Sequence, residues 1–215
     1  MNQREIEQTL GSHQPLLKAV LRVLRPRKAI ELGCGPFSTA HLVHVPNLLT
    51  ITHNRKMAAR VQNAYPQFPT HSWVIKKFRG VTAETKRCML SDDVEERIGA
   101  FYCTIESSAP MVDLLFVNTF QCCSVRAVMA LAKKAKWIIL HNVEPSAYER
   151  YGWRELDDMM AHRKKYIHRP PNQQTHWTGM YSTSHLPLRE INAIVRNESI
   201  DLWDEESQLV EIGEW

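Results

Sequence analysis

Residues 28–45 read KAIELGCGPFSTAHLVHV, and their types and spacing could do chemistry together. A short apolar run ends in the acid Glu31. A turn with Gly33 and Gly35 follows, enclosing Cys34, and Ser38 and Thr39 then open a helical pattern. A strand that passes into a helix through such a turn aims free backbone N–H groups and the positive end of the helix dipole at one spot. That spot suits a polar or anionic part of a ligand. Glycine serves there because a tight turn asks for positive φ, and because a ligand comes close to the backbone only where no Cβ intrudes. An ordinary turn without a ligand reads similarly, since Ser38 stands where the pattern G-x-G-x-x-G would place its third glycine.

Three further apolar runs end in polar residues. Asn47–Thr52 leads into His53 and Asn54, Val112–Val117 into Asn118, and residues 137–140 into His141, Asn142, Val143 and Glu144. Ligands of open α/β sheets bind outside the carboxyl ends of the strands, so these groups should line one crevice with Glu31. His141 is the candidate general base, because an imidazole titrates near neutrality. Glu144 is the candidate to orient it or to bind substrate. The competing reading has Asn118 and Asn142 capping loops, which asparagine does well, with His141 a satisfied edge histidine. Tyr148, Tyr151 and Trp153 either wall a stacking site or pack their loop onto the sheet. Arg126, Arg150 and Arg154 near the same edge would favour an anionic acceptor.

The elements needed to hold these residues follow from periodicity. Helical rhythm appears over 2–24, interrupted near Gly11, Ser12 and Pro15, and over 38–45, 55–64, 124–135 and 154–162, with another helix starting near Ser91. Strands are expected at 28–33, 47–52, 72–78, 112–117 and 137–140, with a closing pair at 166–169 and 177–183. The alternation predicts a doubly wound, mostly parallel α/β sheet with helices on both faces and an antiparallel C-terminal strand pair. Residues 1–185 read as a single domain and 186–215 as an acidic C-terminal extension.

With 215 residues, 44% hydrophobic and 23% charged, the composition is that of an ordinary globular domain. No apolar run approaches a membrane span, and the polar start lacks the apolar core of a secretory signal, so no membrane partner and a cytoplasmic location are expected. The five cysteines, Cys34, Cys88, Cys103, Cys122 and Cys123, show neither a metal spacing nor an even disulfide set. Net charge is +4, but seven acids and no Lys or Arg fall in 198–215, so the rest carries +11. Such a body could hold an anionic partner, though a solvated face is the commoner use. Trp203, Leu209, Val210, Ile212 and Trp215 indicate that the acidic tail docks rather than dangles.

The pattern E-x-G-x-G at Glu31, Gly33 and Gly35, with Ser38 and Thr39 after it, resembles the first motif of the class I, Rossmann-like S-adenosylmethionine-dependent methyltransferases. The resemblance extends over roughly residues 15–185 through the order of strands. It implies S-adenosylmethionine as cofactor, with Glu31, Gly33, Cys34, Gly35, Ser38, Thr39, Thr52, His53, Asn54 and Asn118 binding it, and His141 and Glu144 as catalytic residues. It also implies methyl transfer to an oxygen or nitrogen of a small or carbohydrate-like acceptor. Three positions depart from the family. Thr52, His53 and Asn54 replace the acid that binds both ribose hydroxyls, Asn118 stands where an aspartate is common, and Asn142 where His-Asp-Thr-Glu is common. With those two asparagines a divalent-metal site is not expected, so the transfer would be metal-independent. The rival readings are a non-catalytic methyltransferase-like module that has lost the cofactor-binding acid and holds protein or nucleic acid, and a protein that binds or modifies nucleic acid through its basic body.

Overall fold

The strand residues of Val112–Val117 and Ala135–His141 are apolar on both faces, so the sheet that contains them has to be covered on both sides. The computed structural model describes every residue except 1–4, 7, 9, 10, 67–70, 83, 84, 86–88, 172, 174 and 213–215, and also leaves out the side chains of 121 and 148–150. Its strands are β1 Lys28–Leu32, β2 Asn47–Thr52, β3 His71–Ile75, β4 Val112–Val117, β5 Ala135–His141, β6 Lys164–His168, β7 Thr178–Ser182 and β8 Leu209–Ile212. They join in the order β3-β2-β1-β4-β5-β7-β6-β8. β1 to β5 pair in parallel, and β7, β6 and β8 add antiparallel strands beyond β5. The expected doubly wound sheet is present, and its antiparallel side has three strands, because β8 pairs along β6.

The helices are α1 Gln14–Leu24, α2 Thr39–Leu42, α3 Arg55–Ala64, α4 Asp92–Ser108, α5 Gln121–Leu131, α6 Pro145–Tyr151, α7 Trp153–Met159 and α8 Leu188–Trp203. Alternate residues of a strand face opposite sides, which divides the core in two. Leu115 and Val117 pack with Tyr102 of α4, Val128 of α5 and Trp153 of α7. Leu114 and Phe116 pack with Leu17 and Val20 of α1 and Ile191 and Val195 of α8. Ion pairs from Lys18 (2.5 Å) and Arg22 (2.9 Å) to Glu198 tie α8 to α1. Most of the acidic tail is thus docked, while Trp215 lies outside the described residues.

Several elements differ from expectation for identifiable reasons. The helix expected over 38–45 is the single turn α2, so the dipole contribution to the glycine turn is small. The helix expected over 124–135 begins earlier and stops at Leu131, followed by a 3-10 turn at Ala132–Lys134. It packs between the sheet, α4, α6 and α7, burying Cys122, Cys123, Val125, Ala127 and Val128, and is therefore not amphipathic. The polar stretch after His141, expected as a loop, forms α6 and α7. The third strand is shorter than 72–78, ending at Ile75.

Candidate functional site

The chain order reverses between β1 and β4, which lie side by side. A crevice opens at such a switch point, outside the carboxyl ends of the strands. Here a cleft of about 480 Å³ is lined by Cys34, Gly35, Pro36, Phe37 and Ser38 after β1, Asn118 after β4, and His141 and Asn142 at the end of β5. Ile6, His13, Met57 and His176 complete it. Five expected residues, Cys34, Gly35, Ser38, Asn118 and His141, therefore meet around one space.

The two glycines have different roles. Gly33 has φ +81°, and a Cβ built there would lie 2.0 Å from the Asn118 carbonyl oxygen. Its N–H donates to Ile51 O (2.7 Å), so Gly33 serves the close crossing of the strand ends. A Cβ on Gly35 would meet nothing within 4 Å, which leaves open space beside its backbone in the cleft. The N–H of Gly35 is taken by Thr39 Oγ1 at 3.1 Å.

Glu31 sits beneath this turn, fully buried. Its carboxylate accepts from Ser38 Oγ (2.8 Å), Thr39 Oγ1 (2.8 and 3.0 Å) and Thr50 Oγ1 (2.8 Å). Burial pushes the carboxyl up to about 7, while the hydroxyls of Ser38, Thr50 and Thr39 pull it down. Glu31, Ser38 and Thr39 thus brace the loop to β2 from behind, and Glu31 does not line the cleft.

The residues after β2 are also used internally. Thr52 is buried and accepts from Cys34 Sγ (3.5 Å) and Asn54 N (3.2 Å). Asn54 caps α3 by accepting from Met57 N at 3.0 Å. His53 bonds Lys76 O through Nδ1 (2.6 Å) and Tyr102 Oη through Nε2 (2.8 Å), and burial lowers its pKa. Nδ1 must carry the proton to donate to a carbonyl, so Nε2 accepts from the tyrosine. None of the three lines the cleft: Thr52 and Asn54 complete bonds of the β2–α3 turn, and His53 ties that turn to Lys76 and to Tyr102 of α4.

At the other wall, His141 is 4% exposed. Its ring stacks on His176 (5.8 Å, 15°) and meets His13 edge-on at 4.8 Å. Burial, and then repulsion from His13 and His176, holds it well below the ordinary imidazole value. His141 Nδ1 and both ring nitrogens of His13 are buried without hydrogen-bond partners in the described structure. Burial and the nearby His41 bring His13 down to about 3, with only a partial offset from the Phe37 backbone. Glu144, expected to orient His141, instead accepts from Trp177 N (3.2 Å) and fixes the approach to β7. Asn142 takes that part of the wall: its Oδ1 lies 2.9 Å from His176 Nδ1, and its Nδ2 donates to Tyr151 Oη at 3.0 Å. Asn142 and His176 both have φ +63°. Non-glycine residues in that region store strain, which collects at functional sites.

Sequence reasoning missed His13 and His176. The available signal was local: His13 directly precedes the α1 start, and His176 directly precedes the closing strand. Tyr151 and Trp153 stack on each other (5.1 Å, 12°) and are buried in the core under α6 and α7, so they are packing residues. Arg126 pairs with Glu95 at 2.9 Å between α5 and α4, which removes it from the acceptor side. The side chains of Tyr148 and Arg150 lie outside the described residues, as does Cys88. The other four cysteines are free thiols.

No protein-family model matches the chain, and no curated protein matches it in sequence. Solved structures do. The N-methyltransferase NodS of Bradyrhizobium japonicum in complex with S-adenosylhomocysteine is 13% identical, with 84% of this chain and 87% of that one covered at a TM-score of 0.50. A methyltransferase-like protein of Silicibacter pomeroyi is 13% identical over 88% of this chain and 94% of its own, at 0.50. A Streptococcus mutans protein in complex with S-adenosylhomocysteine is 10% identical over 77% and 93%, at 0.52. The chain has the class I methyltransferase fold. In this methyltransferase fold the glycine turn after β1 and the ends of β4 and β5 form the cleft, and no carboxylate lines it among the described residues. No described helix is long and apolar enough to cross a membrane.

Proposed function

We propose that the cleft binds S-adenosylmethionine and that the protein transfers its methyl group to an oxygen or nitrogen of a small or carbohydrate-like acceptor, without a metal and in the cytoplasm. The observation that carries this reading is the convergence of the open turn at Gly35, Asn118 and the unpartnered His141 on one space of about 480 Å³, within the usual range for small-molecule sites. The cofactor would supply an electrophilic methyl on a good leaving group. The protein's part is to align the acceptor and exclude water. His141 is the base for a hydroxyl acceptor, since burial keeps it neutral and its buried Nδ1 has no partner. A base held neutral in this way keeps its active form as pH falls below the ordinary histidine value. Turnover should therefore stay level from pH 7 to pH 6, and a steep fall with an apparent pKa near 6.5 would argue against His141.

One observation favours the second reading, a non-catalytic module of the same fold. Thr52, His53 and Asn54 each already hold an internal bond, and none is a carboxylate, so the end of β2 lacks the strong two-oxygen acceptor that suits a ribose diol. Calorimetric titration with S-adenosylmethionine and with S-adenosylhomocysteine separates the two. Micromolar binding of both supports the enzyme, whereas no heat at millimolar ligand supports the module. If the cofactor binds, His141→Ala is expected to retain that affinity and to lower turnover about 10²-fold or more, as loss of a general base does. Wild-type turnover in that variant would exclude His141 from proton transfer.

A further inference from the structure

We propose that the amino-terminal edge of the parallel sheet, at the opposite end of the strands from the cleft, binds the phosphate backbone of a nucleic acid. Register alone assembles the surface. Ala29 pairs with Leu114 and Val112 with Ala135, so Lys28, Asp113 and Lys136 stand in a row across the starts of β1, β4 and β5. Neighbouring strands lie about 4.8 Å apart, which puts Lys28 and Lys136 backbones about 10 Å from each other. Arg25 and Arg27 approach this row before β1, and Lys133 and Lys134 approach it through the 3-10 turn before β5. All six cations are exposed except Lys134, which is half-buried.

The acid in this row is already spent. Asp113 accepts from the backbone N–H of Arg27 (2.8 Å) and Lys28 (3.2 Å) and from Lys136 Nζ (2.8 Å). Among the described residues, Arg25, Arg27, Lys28, Lys133 and Lys134 make no ion pair. The backbone of the 3-10 turn is also held from behind. Arg163 is buried behind the 3-10 turn and donates to the carbonyls of Ala132 (2.8 Å), Ala135 (2.9 Å) and Lys136 (3.1 Å), bracing the backbone that carries the lysines. Half-buried Trp137 lies under Lys136 Nζ at 5.9 Å and adds an aromatic beside the row.

Five cations without ion partners among the described residues, gathered around the strand starts, suit a chain of phosphates, whose binding is driven by counterion release. A bilayer-docking face would need an apolar strip to insert as well as charge. Met111 is the one large, strongly exposed apolar side chain next to this row among the described residues. The proposal does not depend on methyl transfer, because the two surfaces lie at opposite ends of the strands.

The test is fluorescence anisotropy of the full chain with labelled 20-nucleotide oligo-dT and oligo-U at several salt concentrations. Engagement of about four phosphates predicts a log–log slope near −3. Lys133→Gln with Lys134→Gln should weaken binding about tenfold or more near 0.1 M salt and make the slope shallower by about 1.4. The charge-matched pair Arg55→Gln with Lys56→Gln, exposed at the start of α3 after the carboxyl end of β2, should leave binding unchanged. Equal thermal melts would show that both variants remain folded. No binding at low salt, equal loss in both variants, or preferential binding of poly-glutamate or phosphatidylserine vesicles would overturn the proposal.

Discussion

Gly33→Ala is expected to destabilise the protein by roughly 3 kcal/mol or more, a large fraction of the stability of an ordinary domain. Gly35→Ala, two residues away, is expected to leave stability within about 1 kcal/mol of wild type. The contrast is geometric. Gly33 has φ +81°, and the added Cβ would meet backbone atoms alone: Asn118 O at 2.0 Å, Asn118 C at 2.8 Å and Thr119 Cα at 3.0 Å. No side chain can swing aside to relieve this. The end of β4 would have to move, yet it is held by the Asn118 N–H to Leu32 O bond at 2.8 Å, and Gly33 by its own bond to Ile51 O. At Gly35 the added methyl enters open space, so any cost appears only when a ligand needs that space. Urea unfolding should separate the stabilities, and titration with S-adenosylhomocysteine should show weakened binding in folded Gly35→Ala. A Gly33→Ala protein as stable as wild type would contradict the close crossing. Unchanged ligand affinity in Gly35→Ala would place the ligand away from the glycine turn.

The same pair shows which parts of the site were legible in the sequence. Spacing found both glycines, but assigning both to a ligand required knowing what lies over each backbone, and Gly33 lies against a strand end more than eighty residues later in the chain. The strands up to β7 were legible because buried parallel strands are mostly apolar, as in β4 beyond Asp113, whereas β8 lies in the acidic tail and was expected only to dock. The short α2 and the all-round burial of α5 were not, because a helix sandwiched between a sheet and other helices loses the one-sided pattern that marks a surface helix. Glu31 was expected to line the crevice and bind the cofactor, but it is buried beneath the glycine turn and does not line the cleft. Its partners are three hydroxyls of the protein, two of them, Ser38 and Thr39, read as ligand groups in their own right. His13 and His176 escaped notice because lone histidines carry no spacing signal. Only the fold brings them to His141, from the start of α1 and from the approach to β7.

Those buried histidines should contribute strongly to the pH dependence of stability, in the same sense as His41, His53 and His71, whose pKa values burial also lowers. His13, His141 and His168 are fully buried with lowered pKa values, to about 3 for His13 and about 4 for His168, mainly because burial disfavours the imidazolium. In the unfolded chain each titrates near 6.5. The folded state then binds fewer protons than the unfolded state below that value, so stability is full above pH 6.5 and falls as the pH drops towards the folded values. At pH 5 His13 and His168 each cost about 2 kcal/mol, and His141 shifts stability in the same direction. Glu31 acts in the opposite sense. Its carboxyl, raised to about 7 from 4.5, penalises the fold as pH rises through that window, so acidification from pH 7 to 5 returns roughly 2–3 kcal/mol. The net expectation is a loss of stability between pH 6.5 and 5, because the histidines together outweigh Glu31. Urea unfolding at pH 7.5, 6 and 5 reads it directly. His13→Phe is the sharpest control, because both His13 nitrogens lack partners and the ring already lies against Phe116 at 5.2 Å. That variant should match or exceed wild-type stability at pH 7.5 and lose about 2 kcal/mol less on going to pH 5. An identical pH slope in the two proteins would mean that His13 takes up its proton without unfolding, which requires water or an anion to reach it through the cleft. The same measurement would then show that this wall of the cleft is open to solvent, and the case for His141 as a base kept neutral by burial would fall with it.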